Sequence, residues 1–172
     1  QEGMETKEYA DKLSEHFRGM KGKLNLTNDD FIRTTEERHH KGVQKLYQQL
    51  KEKGDVYKDF YEGWYCIPDE TFFPESQLGP NKTCPVCGRP VEKVKEETIF
   101  FKLSNFKDWF LKYVEENPNV FVPEPRKNEV VQFVKGELRD LSITRTSVKW
   151  GIPVPDEPNH IFYVWFDALI NY

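Results

Sequence analysis

Two short cysteine motifs constrain this chain more than any other feature. Cys84-Pro-Val-Cys87-Gly88 carries two thiols with two residues between them, followed by a glycine. Two thiolates need that spacing to reach one tetrahedral metal, and glycine permits the tight turn behind them. Cys66-Ile-Pro-Asp69 repeats the spacing with a carboxylate in the second place, and fourteen residues separate it from Cys84. Zinc accepts carboxylate oxygen at ~2.0–2.2 Å, so Cys66, Asp69, Cys84 and Cys87 form a candidate four-ligand set, with Glu70 an alternative fourth ligand. The competing reading is a lost metal site, in which Asp69 stands where a ligand was and packing alone holds the Cys84–Cys87 turn. A catalytic zinc fits less well, because four ligands leave no open position and no general base lies beside them.

The rest of the composition narrows the class. Three cysteines, two of them in one motif, suit a reducing compartment and metal chemistry better than a disulfide framework. The net charge is 25 − 29 = −4, which argues against broad, nonspecific nucleic-acid binding. No apolar run approaches the ~20 residues that span a bilayer. The opening Gln1-Glu-Gly-Met-Glu-Thr6 has neither the basic nor the apolar region of a signal peptide. Aromatic residues reach 15%, so the core is expected to be aromatic-rich.

Periodicity gives a mixed α/β reading. Tyr9, Leu13 and Phe17 place one apolar face on a helix over 6–20, with Gly22 as its stop. Phe31–Thr35 is a short β-prone run, and Thr35-Glu-Glu-Arg38 resembles an N-cap with an acidic first turn. Val43, Leu46, Tyr47 and Leu50 share a helical face that Gly54 ends. Val56–Tyr65 and Lys93–Leu103 read as strands, with a loop over Pro68–Lys82 between them. Ser104 caps a helix to Glu116 whose apolar face is Phe106, Trp109, Phe110 and Tyr113, and a further short helix covers Lys127–Val134. The chain then closes with strand, turn, loop, strand and a helix starting at Asp167. Tyr172 falls about one turn into that helix, so the chain reads as a piece of a larger protein.

Four blocks in register carry a family resemblance. They are Phe31-Ile-Arg-Thr-Thr-Glu-Glu-Arg-His39, Tyr61-Glu-Gly-Trp-Tyr-Cys66, Cys84-Pro-Val-Cys-Gly-Arg-Pro90, and the closing segment from Leu138. That segment holds Trp150-Gly-Ile-Pro153 and Tyr163-Val-Trp-Phe-Asp-Ala-Leu169. Together they resemble the methionyl-tRNA synthetases over nearly the whole chain. The resemblance implies a class I, Rossmann-like catalytic fold interrupted by a connective domain with a zinc knuckle. It assigns 1–54 to the catalytic fold, 55–144 to the connective domain, and 145–172 to the return into the catalytic fold.

The resemblance also implies chemistry. The parent enzyme would join methionine to ATP as an adenylate, with Mg²⁺, and pass the acyl group to tRNA(Met). Leu141, Trp165, Ala168, Leu169 and Tyr172 match the family's methionine-pocket positions. A flexible, polarizable thioether suits such aromatic walls. Plain hydrophobic core is the alternative reading of these residues. Arg145 matches a basic residue placed beside the reacting carboxylate and α-phosphate, where a guanidinium offers paired donors to developing charge. A strand arginine paired with a surface carboxylate is its bland alternative. The family's ATP-binding signatures, of the His-Ile-Gly-His and Lys-Met-Ser-Lys-Ser types, do not occur in these residues. The chain alone is therefore expected to be inactive.

The implied partners are methionine, ATP, tRNA(Met) and the remainder of the synthetase chain, with no membrane. The implied compartment is the cytoplasm, and an organellar parent is compatible with the sequence. Half of a parallel sheet left bare would let two copies associate through the exposed edge. His16, His39 and His40 read as solvated, and His160 as a loop cap. A function of a different class is a free-standing zinc-ribbon module that binds RNA or protein.

Overall fold

The computed structural model describes residues 3–69, 71–136 and 138–171. Its centre is a long antiparallel ladder between β1 (Val56–Cys66) and β3 (Glu92–Phe101), registered from Val56 opposite Phe101 to Tyr65 opposite Glu92. The chain between them adds β2 (Thr71–Phe73) to the outer edge of β1 and then forms the cysteine turn. The sequence suggested only a loop there. At ~3.3 Å per residue, the ladder holds its two ends roughly 30 Å apart.

Each end has its own core. At one end Cys66, Cys84 and Val91 are buried, packed by Trp64, Phe73 and Leu78. At the other, Val43 and Tyr47 of α2 (Glu37–Lys53) meet Ile99, Ile143, Ile152, Val154, Phe162 and Phe166. α2 and the closing segment thus contribute to one core. Leu46 and Leu50 pack at its margin, so the helical face read from spacing is the buried face. Gly54 ends α2 at φ 75°, and the Asp55 N–H then reaches back to the Leu50 carbonyl.

The closing segment stitches two sheets together. β4 (Leu141–Ser142) pairs with β3, and β5 (Thr144–Arg145) pairs with β7 (Glu157–Phe162), which also holds β6 (Pro153–Val154). Ile143 lies between, fully buried, donating its N–H to the Ile99 carbonyl and accepting from the Tyr163 N–H. Gly151 turns the chain between β5 and β6 at φ 155°, where a Cβ would lie 2.3 Å from Ile161 Cγ2. Only glycine fits that Trp-Gly turn.

Several expectations are corrected. Phe31–Thr35 forms no strand. Phe31 N–H is taken by the Asp30 side chain and Arg33 by Asp11, and no partner strand faces the run among the described residues. Glu36, not Thr35, precedes α2. α1 (Thr6–Lys23) runs through Gly22, and none of its residues is buried. Its apolar face is exposed rather than packed. Ser104 does not cap a helix with its side chain; a 3₁₀ turn over Leu103–Phe106 leads into α3 (Lys107–Glu116), and Ser104 bonds Asp140 instead. α4 spans Glu124–Lys135. The last helix, α5 (Val164–Ala168), starts three residues before Asp167. The architecture is mixed α/β, as read, and all strand pairs among the described residues are antiparallel.

Candidate functional site

The knuckle brings its four predicted ligands together. Sγ atoms of Cys66, Cys84 and Cys87 and a carboxylate oxygen of Asp69 all lie within 4.8 Å of one another. Asp69 Oδ2 is 3.2 Å from Cys66 Sγ and 3.0 Å from Cys84 Sγ, and Cys66 Sγ is 3.5 Å from Cys87 Sγ. A tetrahedron with bonds of ~2.3 Å to sulfur has edges somewhat under ~4 Å. The observed separations are close to that. Val86 N–H points at Cys84 Sγ over 3.3 Å, the kind of backbone donor that steadies a thiolate. Glu70 lies outside the described residues.

Charge makes the cluster meaningful. Burial pushes the Cys66 thiol up to about 12, and a hydrogen bond to Asp69 pushes Cys87 up as well. Hydrogen bonds from the thiols, Cys84 first, hold Asp69 below its usual range. The Cys66 and Cys87 thiols beside this carboxylate thus favour the protonated form unless a cation joins them. A bound divalent cation would reverse that balance and favour the thiolates. The donor set fits a metal ion.

The second site is a cavity of about 810 Å³ between the closing segment and Tyr61, Tyr65 and Phe72 of β1 and β2. Leu141, Arg145, Trp150, Tyr163 and Trp165 all line it. Trp165 is 55% exposed, so it is not a core residue. Leu141 is also exposed to the cavity. Ala168 and Leu169 do not line it, and Leu169 faces outward on the turn that follows α5. Tyr172 lies outside the described residues.

Arg145 is held on three sides. Its guanidinium donates to Ser142 Oγ at 2.6 Å and to the Thr144 carbonyl at 2.7 Å, and lies 4.0 Å above the Tyr163 ring. It has no carboxylate partner among these contacts, so its charge remains directed to the cavity. Glu96 supports the adjoining turn. It is buried, and its Oε1 accepts from Thr146 N–H at 2.6 Å and Ser147 N–H at 2.7 Å.

Sequence reasoning missed three groups here. His39 is buried and bonded to Asp167, not solvated. His160 is buried inside β7, not at a loop. Tyr163 supports Arg145, and its only signal was membership of the aromatic run Ile161–Phe166.

Comparison with known proteins shows the family of the chain. The family model described as tRNA synthetases class I (M) matches residues 1–94 and 80–172. The methionine–tRNA ligase of Thermotoga maritima is 50% identical over 175 residues, covering 100% of this chain and 28% of that protein. That of Clostridium tetani is also 50% identical, covering 100% of this chain and 27% of its own length. A solved structure of Mycobacterium tuberculosis methionyl-tRNA synthetase in complex with methionyl-adenylate superposes with a TM-score of 0.87 at 43% identity. It covers 99% of this chain, which spans 34% of it. With matches along its whole length, and spanning between a quarter and about a third of these relatives, the chain belongs to the class I methionyl-tRNA synthetase family.

Proposed function

We propose that this chain supplies one wall of the methionine site of a methionyl-tRNA synthetase, together with its connective knuckle. The enzyme as a whole would activate methionine with ATP and transfer it to tRNA(Met). The observation that carries the reading is the grouping of Leu141, Arg145 and Trp165 around one cavity. An exposed indole beside an aliphatic side chain offers a thioether apolar contact without closing the site. Arg145 would meet the carboxylate and phosphate as charge develops during adenylate formation. The resemblance also names Ala168, Leu169 and Tyr172, of which Ala168 and Leu169 stand outside the lining of this cavity. The ATP-binding signatures are not among these residues. The chain by itself would therefore not complete the reaction.

The same reading divides the chain into 1–54 and 145–172 in the catalytic fold and 55–144 in the connective domain. The core in which α2 meets the closing segment supports joining the first and last parts, with Ile99 and Ile143 of the middle part packed into it as well. For the knuckle we propose zinc, held by Cys66, Asp69, Cys84 and Cys87. When bound it would supply charge neutralisation and cross-link the far end of the ladder. Steady-state kinetics test the pocket. Trp165→Ala in the full-length synthetase should raise the KM for methionine by about tenfold or more and leave the KM for ATP nearly unchanged. Equal effects on both would defeat the reading.

A further inference from the structure

A chain of buried polar side chains runs from the outer face of β3 to the Arg145 guanidinium. It starts at Glu97, whose carboxylate lies 3.1 Å from His160 Nε2. His160 Nδ1 lies 3.0 Å from Thr144 Oγ1. Thr144 Oγ1 is 3.2 Å from Thr98 Oγ1, which lies 2.8 Å from both Ser142 Oγ and the Thr144 carbonyl. Ser142 Oγ then receives Arg145 at 2.6 Å. His160, Thr144, Thr98 and Ser142 are all buried.

With the His160 hydrogen on Nε2, donor and acceptor counting gives one consistent set of directions, in which the Thr144 Oγ1–Thr98 Oγ1 contact carries no hydrogen. A carboxylate only accepts, so His160 carries a hydrogen on Nε2, toward Glu97, and in the Nε2–H tautomer Nδ1 is an acceptor. Thr144 Oγ1 already accepts the Ile99 N–H at 2.9 Å, and donates its own hydrogen to Nδ1. Thr98 donates to the Thr144 carbonyl, which leaves its oxygen to accept from Ser142. Ser142 has then spent its hydrogen, and its lone pair faces Arg145. Without an acceptor at Nδ1, the Thr144 hydroxyl turns toward Thr98 and competes there with Ser142. The Ser142 hydrogen is then driven toward a guanidinium that can only donate.

We infer that His160 is a positioning residue for Arg145, acting through the hydroxyls of Thr144, Thr98 and Ser142. The inference rests on the role proposed for Arg145 at the reacting carboxylate and phosphate. Its effect is on the placement of charge, not on the methionine wall. A small displacement of such a group lowers the rate of the step it serves more than the affinity for substrate.

Two amides separate the ends of the imidazole. In His160→Asn the side-chain oxygen overlies Nδ1 and can still accept from Thr144. In His160→Gln the amide reaches the Nε2 position and keeps Glu97 but leaves Thr144 without its acceptor. In the full-length synthetase, H160Q should lower kcat for methionine-dependent ATP–pyrophosphate exchange about tenfold, with the methionine KM within about twofold. H160N should stay within about threefold of the parent kcat. Equal kcat in the two variants, or a change confined to KM or Tm, overturns the inference. Should H160Q not fold, Thr98→Val cuts the same path without touching His160 and carries the same expectation; a parent-like kcat in T98V overturns it. Arg145→Ala distinguishes the two levels. If it leaves kcat intact, the role of Arg145 and the inference both fall; if it abolishes exchange while the histidine variants behave alike, only the inference falls.

Discussion

His39 on α2 donates from Nε2 to Asp167 Oδ1 on α5, across 128 residues of sequence. The imidazole is almost fully buried and the carboxylate mostly so. Asp167 lies two residues after Trp165, so this contact locks the short helix carrying the cavity's indole onto the first half of the chain. Five helical residues would not hold their orientation by themselves.

Removing the imidazole should therefore loosen the cavity wall as well as the core. His39→Ala leaves a mostly buried carboxylate without its donor, at a cost of about 1–3 kcal/mol. Urea unfolding of the chain measures the loss. A variant as stable as the parent would show that the pair contributes nothing.

Glu96 makes the turn after β5 sensitive to acid. Burial works to raise its pKa, but N–H donors from Ser147 and Thr146 outweigh burial and hold it below its ordinary 4.5. A carboxylate whose folded pKa is depressed adds stability above its unfolded pKa and loses it as pH falls through the folded value. The chain should thus weaken as pH drops below about 4.5, and Glu96→Gln should flatten that part of the stability–pH curve while lowering stability at pH 7. Thermal melts across the acid range read both effects.

Gly151 is predicted to be irreplaceable. Its φ of 155° and the 2.3 Å approach of Ile161 Cγ2 leave no place for a Cβ. Gly151→Ala combines backbone strain with overpacking and should cost at least about 2 kcal/mol. Denaturant midpoints compare it with the parent, and an undiminished midpoint would contradict the reading of the turn.

The knuckle should hold about one zinc per chain when purified without chelator. Asp69→Ala should lower the metal content, and a chelator should release zinc and reduce the melting temperature. Elemental analysis and melting scans give the answer, and a metal-free parent protein would refute the zinc assignment.

Local signals in the sequence reached as far as local physics governs. The face of Val43, Leu46, Tyr47 and Leu50, its stop at Gly54, and the strands around Val56–Cys66 and Glu92–Phe101 all follow from periodicity and propensity. The knuckle followed from spacing, because two thiols on one turn must lie close. His39 and His160 were misread because their partners, Asp167 and Glu97, are brought to them only by the fold. Phe31–Thr35 has strand-forming residues but meets no strand, and side chains of Asp30 and Asp11 take its donors instead. Tyr9, Leu13 and Phe17 did form a helix, yet their face stays 41%, 41% and 62% exposed because nothing among the described residues covers it. The cavity grouping of Leu141, Arg145 and Trp165 was legible only through family resemblance, since neither spacing nor periodicity links them.

The most direct test of the central claim is the position of the methionine side chain in a crystal structure of the full-length synthetase with methionyl-adenylate. The proposal predicts the thioether sulfur about 5 Å from the Trp165 ring, with the Arg145 guanidinium facing the carboxyl–phosphate end. A methionine side chain seated away from Trp165 and Leu141 would contradict it.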